Sequence, residues 1–323
     1  MARRRRRNVE NLAFILLGLL GLWLGTELAL HNTIELAERR GLSHGFLGLT
    51  VLAVGTDLPE LVVAIQGGFS QLRGVEAGGI VVGNAIGSAI AQGSLVLGVA
   101  GLFGYLRLAP RMIRRDGAVL MLSIVVVALL AADGQLARLE SGALLAAYAI
   151  YFVTLVQAER SRPKAPSKPR GREMRLVLSI FGGLVLVVFS AQFVVDGAVA
   201  LAKLQGWDQT VVGLLLIGAG TSLPELALSL GAAAKGRIGL SVGNIIGSNI
   251  FDLLVPLGVS GMIHPLSVSV STLVIDLPFL ALLTLVALVF FVRTRGLQRS
   301  EAIAMIVLYS SFAVFRILLV VSI

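Results

Sequence analysis

Apolar residues run almost without interruption along this chain, and short polar or basic breaks divide them into stretches of similar length. A helix crosses a bilayer with roughly 20 apolar residues. Ten stretches of about that size predict spans near 11–30, 43–68, 74–104, 116–132, 138–157, 174–201, 208–234, 238–262, 270–292 and 300–321. None shows the short-period alternation of a membrane β-strand. The pattern predicts an all-α integral membrane protein of ten transmembrane helices.

Two spans are broken by the same phrase. Gly55-Thr56-Asp57-Leu58-Pro59-Glu60 interrupts the second, and Gly220-Thr221-Ser222-Leu223-Pro224-Glu225 the seventh. A second phrase follows each: Gly83-Asn84-Ala85-Ile86-Gly87-Ser88, then Gly243-Asn244-Ile245-Ile246-Gly247-Ser248. Order is kept and the offset is about 160 residues. The chain thus divides into a first five-helix repeat (1–156, motif region 48–98), a linker (157–175) and a second repeat (176–323, motif region 213–258). Five is odd, so the copies run antiparallel, as two inverted repeats with broken helices at the midplane.

Gly and Pro at this spacing loosen a helix and free backbone carbonyls. Those carbonyls, Thr56 and Glu60 make an oxygen-rich cage, and Thr221, Ser222 and Glu225 offer the same from the other half. Hard cations such as Ca²⁺ take about six to eight oxygens. A blander reading is a capping box, since Asp57-x-x-Glu60 and Ser222-x-x-Glu225 both fit one with Pro in the first turn. The box marks a helix restarting inside the membrane, but it does not account for two glutamates buried among apolar residues. In the second phrase the small residues suit close helix packing. Ser88 shares a helix face with Gln92, as Ser248 does with Asp252. Asp276 before Pro278 reads as the cap of a broken turn, and Glu27, Asp196 and Arg316 as residues near the interface.

Composition narrows the chemistry further. Hydrophobic residues make up 56% of the chain and charged ones 14%. There is no cysteine, which excludes disulfides and thiolate chemistry. His31, His44 and His264 show no metal-ligand pairing, so no zinc site is expected. The net charge of +9 lies mostly between spans, which points to topology and anionic membrane lipid rather than nucleic acid. The linker, with Arg160, Arg162, Lys164, Lys168, Arg170, Arg172, Arg175 and three prolines, reads as disordered. Loops on its side carry 18 Lys and Arg; those on the other side carry three, Arg73, Arg138 and Lys203. The positive-inside rule places the linker in the cytoplasm and the N-terminus outside. The run Arg3 to Arg7 opposes that assignment, and five loops outweigh it.

The paired phrases, with Asn249-Ile250-Phe251-Asp252, resemble the α-repeats of the sodium/calcium exchangers in the cation/Ca²⁺ antiporter superfamily. The likeness spans about 31–105 and 196–262. It implies Glu60 and Glu225 as central Ca²⁺ and Na⁺ ligands. Thr56, Thr221, Ser222, Ser88, Ser248 and Asp252 match ligand or lining positions, and the carbonyls near Ala53 and Gly218 match backbone ligands. It also implies that the first and sixth helices slide across a fixed core. Three positions depart from the pattern: Asp57 where serine is usual, Gln92 where asparagine or aspartate is usual, and Ala89 where asparagine is usual. With Asp57, Glu60, Glu225 and Asp252 the site carries four carboxylates, which cannot all stay ionised without cations. Asp57 either joins the cage or only caps the half-helix.

The expected function is exchange of Ca²⁺ for Na⁺ across a prokaryotic plasma membrane, with Ca²⁺/H⁺ or other divalent exchange as the alternative. A channel would need a pore ring that the compact cage does not offer. A membrane enzyme built on Asp57 and Asp252 would leave the matched glutamates without a role. No enzymatic activity, cofactor or obligatory protein partner is expected.

Overall fold

The computed structural model describes the backbone of residues 2–74, 77–161, 173–205 and 222–321. Side chains are described from residue 13 onward within those ranges, except at 191–192, 194–205 and 320–321. The helices are α1 (Ala2–Arg40), α2 (His44–Thr56), α3 (Leu58–Leu72), α4 (Gly78–Leu102), α5 (Pro110–Leu130), α6 (Arg138–Arg160), α7 (Glu173–Gln205), α8 (Leu223–Ala234), α9 (Ile238–Ile263), α10 (Thr272–Thr294) and α11 (Arg299–Val321). Among the described residues seven helices are long and apolar enough to cross a membrane, and eight if the bent pair α2–α3 is one span. α8 is a shorter apolar helix, and the residues before it, 206–221, lie outside the described set. The helices at both edges of the linker run further than the sequence suggests. α6 extends to Arg160 and α7 begins at Glu173, so the ends of the 157–175 stretch are helical.

The breaks follow from the motif. α2 and α3 meet at Asp57 with a bend of 47°, and Pro59 enters the first turn of α3, where its missing N–H costs nothing. Asp57 has φ −83°, ψ 7°, and Ser222, at the same place before α8, has φ −87°, ψ 8°. The broken helices also end alike. The turns at Arg73-Gly74 and Lys235-Gly236 close with Gly74 N–H to Gln71 O and Gly236 N–H to Ala233 O, both 2.9 Å. Their glycines sit at φ +79° and +68°, where a Cβ would be strained. A capping box is absent from both starts: neither Asp57 nor Ser222 makes a side-chain cap bond. Their near-zero ψ departs from the extended conformation that an N-cap side chain needs.

Two small antiparallel strand pairs tie the halves together. β1 (Leu106–Arg107) pairs with β4 (Gly296–Leu297), and β2 (Gln135–Leu136) with β3 (Leu266–Ser267). Each joins a loop of the first half to one of the second. α9 is the central post, with 83% of its apolar window buried against 17% for α11. It crosses α2 on glycines. A Cβ on Gly48 would stand 2.6 Å from Leu240 O, and one on Gly247 2.8 Å from Leu49 O. The small residues of the second phrase therefore do serve packing. α1 and α7 form a separate layer through their own glycines: a Cβ on Gly25 would meet Gly183 O at 2.9 Å, and one on Gly183 would meet Ala29 N at 2.7 Å. The core beneath α1 and α7 is distinct from the main one built by α4, α5, α6 and α9 to α11.

Several charged residues on the helices away from the two breaks are paired. Asp116, fully buried, accepts from Arg115 Nε and Nη2 at 2.8 and 3.0 Å and from the Tyr151 hydroxyl at 3.1 Å. Asp276 makes no cap bond. It lies 3.3 Å from Arg316, which also donates to Ser271, so its charge is met across helices rather than at a turn. Glu27 pairs with Lys235 at 2.7 Å. The Asp196 side chain lies outside the described set.

The α2–α9 crossing carries a direct test. Gly48→Leu must push against backbone, and overpacking costs about 1–3 kcal/mol or more. The variant is expected to lower the melting temperature and the monodisperse yield on size-exclusion chromatography. Gly79→Ala, on an exposed face, is expected to match the parent protein.

Candidate functional site

The two breaks and the two GNxIGS helices converge on one buried volume. Thr56 and Asp57 come from the end of α2, Glu60 from the first turn of α3, Ser88 and Gln92 from α4, Glu225 from α8, and Ser248 and Asp252 from α9. All of them are at most 2% exposed. The Ser88 hydroxyl donates to Glu60 Oε1 at 3.3 Å. Gln92 donates to Asp252 Oδ2 at 3.1 Å and accepts from Asn249 Nδ2 at 3.1 Å. The Thr56 hydroxyl lies 3.1 Å from the carbonyls of both Leu52 and Ala53. Ala53 O also accepts the Asp57 N–H at 3.0 Å.

Asp57 turns into this volume. Glu225, Asp252 and Glu60 all act on its carboxylate, and Glu225 lies beside both Asp57 and Thr56. Tyr148 of α6 is near enough to feel the Asp57 charge and meets Phe251 edge-on, with ring centroids 5.5 Å apart.

What remains unmet is oxygen. Among the described residues no hydrogen bond reaches Asp57 Oδ1 and Oδ2, Glu60 Oε2, Glu225 Oε1 and Oε2, Asp252 Oδ1, Ser222 Oγ, Ser248 Oγ or Asn249 Oδ1. An unpaired buried acceptor costs on the order of 1–3 kcal/mol, more when charged. The contrast with Asp116 is instructive. There the fold meets a buried carboxylate with an arginine and a tyrosine, whereas no basic side chain among the described residues pairs with the site carboxylates. Apart from the two serine hydroxyls, which can also donate, the unmet oxygens are acceptors only, and such a cluster is complementary to a dehydrated cation. No group of three His, Asp or Glu among the described residues is close enough to form a metal cluster by itself. The coordination shell of such a cation therefore needs hydroxyl, amide and carbonyl oxygens as well.

A profile of the family described as sodium/calcium exchanger protein matches residues 10–157 and 175–318. The chain belongs to the sodium/calcium exchanger family. The sodium/calcium exchanger MaX1 of Methanosarcina acetivorans is 31% identical, over 94% of this chain and 97% of that protein. The putative antiporter CaxA of Alkalimonas amylolytica is 30% identical, over 95% and 97%. A solved structure of the sodium-calcium exchanger NCX_Mj, soaked with Na⁺ and Sr²⁺, is similar with a TM-score of 0.81 at 28% identity, covering 93% of this chain and 96% of that one. Family membership and fold together support an integral membrane exchanger of cations, Ca²⁺ among them.

Of the residues singled out in the sequence, Thr56, Asp57, Glu60, Ser88, Gln92, Glu225 and Asp252 meet around the volume. Ser222 and Ser248 stand buried beside it, and Ala53 contributes a carbonyl already engaged by its own turn. Thr221 and Gly218 lie outside the described residues. Asn249 and Tyr148 were missed. Asn249 had a signal, because it occupies in the second half the place of Ala89 in the first. Tyr148 had none, since one tyrosine in an apolar helix looks like any other.

Gln92 gives the sharpest test of this geometry. Gln92→Leu keeps the volume but leaves Asp252 without its donor and Asn249 with only its bond to Ile245 O, a loss of about 1–3 kcal/mol. The Ca²⁺ concentration for half-maximal thermal stabilisation is expected to rise about tenfold. An unchanged midpoint would separate Gln92 from the cation site.

Proposed function

We propose that this exchanger is a secondary antiporter that moves Ca²⁺ against Na⁺ by alternating access. The observation that carries the proposal is the buried set of unmet oxygens at Asp57, Glu60, Glu225 and Asp252. A dehydrated Ca²⁺ or a group of Na⁺ ions satisfies it, and an empty site leaves like charges facing each other in a medium where that is costly. Glu60 and Glu225 are the central ligands. Asp252 is held by Gln92, and Thr56, Thr221, Ser88, Ser222, Ser248 and the carbonyls of Ala53 and Gly218 complete the shell.

The transmembrane layout we propose is ten spans in two inverted repeats of five, with the linker in the cytoplasm of a prokaryotic cell and the N-terminus outside. Matched backbone angles at Asp57 and Ser222 support the repeat. The strand pairs support the parity: β1 joins β4 and β2 joins β3, and in each case this layout has an even number of spans between the partners. The layer of α1 and α7 is the element that slides: Gly25 and Gly183 join the two helices at backbone distance, while Gly55 of α2 and Gly231 of α8 meet them through the side chains of Leu184, Thr26 and Leu30. Neither a channel nor an enzyme accounts for two matched glutamates at two matched breaks.

A second reading, Ca²⁺/H⁺ exchange, rests on one feature: Asp57 adds a carboxylate beside Glu225 where the other half has Ser222. Crowded carboxylates bind protons in competition with cations.

Ca²⁺ uptake into proteoliposomes under a Na⁺ gradient alone, and then under a pH gradient alone, separates the two. Uptake is expected under the first. Glu60→Gln and Glu225→Gln are each expected to reduce it by about two orders of magnitude or more while the protein still purifies folded; parent-like exchange in both would sink the site assignment. Asp57→Ser is expected to keep Na⁺-driven uptake and to move its acid limb to lower pH. A profile that does not move would remove the basis for proton coupling.

A further inference from the structure

On the face that carries the basic loops, a cavity of about 350 Å³ opens between the starts of α2, α5 and α9 and the end of α6. None of the oxygens of the cation site lines it. Its lining has two characters. Arg107 of β1 and Arg111 and Arg115 of the first turns of α5 bring cations, while Phe46, Met112 and Leu155 form an apolar wall.

The charges in the cavity are unequal in their freedom. Arg115 is committed to Asp116 by two hydrogen bonds. Glu159 accepts from the Ser43 N–H and hydroxyl at 2.6 and 2.7 Å, and Ser43 in turn caps α2 through the Phe46 N–H at 3.1 Å. Arg107 and Arg111 are exposed and have no acidic partner among the described residues. Two free guanidinium groups match a phosphate in shape and charge. In the layout proposed above, the helix ends that form the cavity stand at the depth of the bilayer headgroups, and anionic lipids concentrate on the face that the basic loops mark as cytoplasmic. A small solute anion has no use for the apolar wall. A headgroup joined to acyl chains uses both parts.

We propose that this cavity binds an anionic phospholipid, with Arg107 and Arg111 on the phosphate and the first acyl carbons along Phe46, Met112 and Leu155. The occupant braces the start of α2, the helix that ends at Thr56 and leads into Asp57, so the filled cavity stabilises the approach to the cation site.

The test uses the full chain purified in detergent, with dioctanoyl-phosphatidylglycerol, dioctanoyl-phosphatidylcholine and inorganic phosphate as probes. Native mass spectrometry reads retained lipid, and thermal unfolding reads the stabilisation. Phosphatidylglycerol is expected to be retained and to raise the melting temperature in a concentration-dependent way, with the other two giving little. Arg107→Gln/Arg111→Gln is expected to lower retention about tenfold. Ala158→Trp, which fills the cavity without changing its charge, is expected to do the same. Equal shifts from inorganic phosphate would make this a free-anion site and overturn the lipid assignment, as would equal retention of phosphatidylcholine. Undiminished retention in both variants would overturn the cavity as the site.

Discussion

Everything in this fold answers to the cost of keeping four carboxylates out of water in a membrane. A charge in a low-dielectric interior is tolerated only with a counter-charge or a dense shell of dipoles. The chain uses the first solution at Asp116 and Asp276, with Arg115, Tyr151 and Arg316. Around Asp57, Glu60, Glu225 and Asp252 it uses neither in full, and in the function proposed above a cation makes up the deficit. The helix breaks, the glycine crossings and the central place of α9 all serve to hold that deficit in position. A continuous α2–α3 helix would lock its own carbonyls in the ladder and carry Glu60 away from Glu225.

Duplication explains the frame, and departures from it explain the character of the site. The breaks at Asp57 and Ser222 have nearly the same backbone angles, and the terminal turns at Gly74 and Gly236 repeat. The side chains at matched places differ: aspartate against serine, Gln92 against Asp252, Ala89 against Asn249. The last two differences compensate each other. Asn249 reaches across to Gln92, and Gln92 in turn holds Asp252, so one amide chain links α4 to α9 where strict symmetry would need two. Asp57 has no such compensation, since its counterpart is the neutral Ser222.

Much of this was legible in the residues. The apolar runs locate the helices because a membrane span must satisfy its backbone internally, and the duplicated phrases locate the breaks because Gly and Pro act locally. The capping box was misread for a related reason. The pattern Asp57-x-x-Glu60 is a local signal, but in the fold Asp57 makes no cap bond and lies beside Glu225 and Asp252, which are far away in sequence. The same holds for Asp276, whose partner Arg316 is one helix away in the chain. The basic–apolar cavity was out of reach altogether, because its lining comes from four helix ends that only the tertiary fold brings together.

The layer formed by α1 and α7 is the part of the fold that the proposed alternating access would move. Those helices approach each other through Gly25 and Gly183, close enough for backbone contact, and Gly21 faces the Ser190 side chain, so they hold together as a pair. Their ties to the rest include the ion pairs of Glu27 with Lys235 and Glu38 with Arg237, both partly exposed. Pairs of that kind contribute up to about 1 kcal/mol each. Apolar side chains add to them, with Leu30 and Leu184 in one cluster with Leu47, Leu52 and Leu228, whereas at the α2–α9 crossing Gly48 and Gly247 leave no room for a Cβ against the facing backbone. The proposed alternating access rests on this difference in contact: backbone against backbone at the α2–α9 crossing, side chains between the α1–α7 pair and its neighbours.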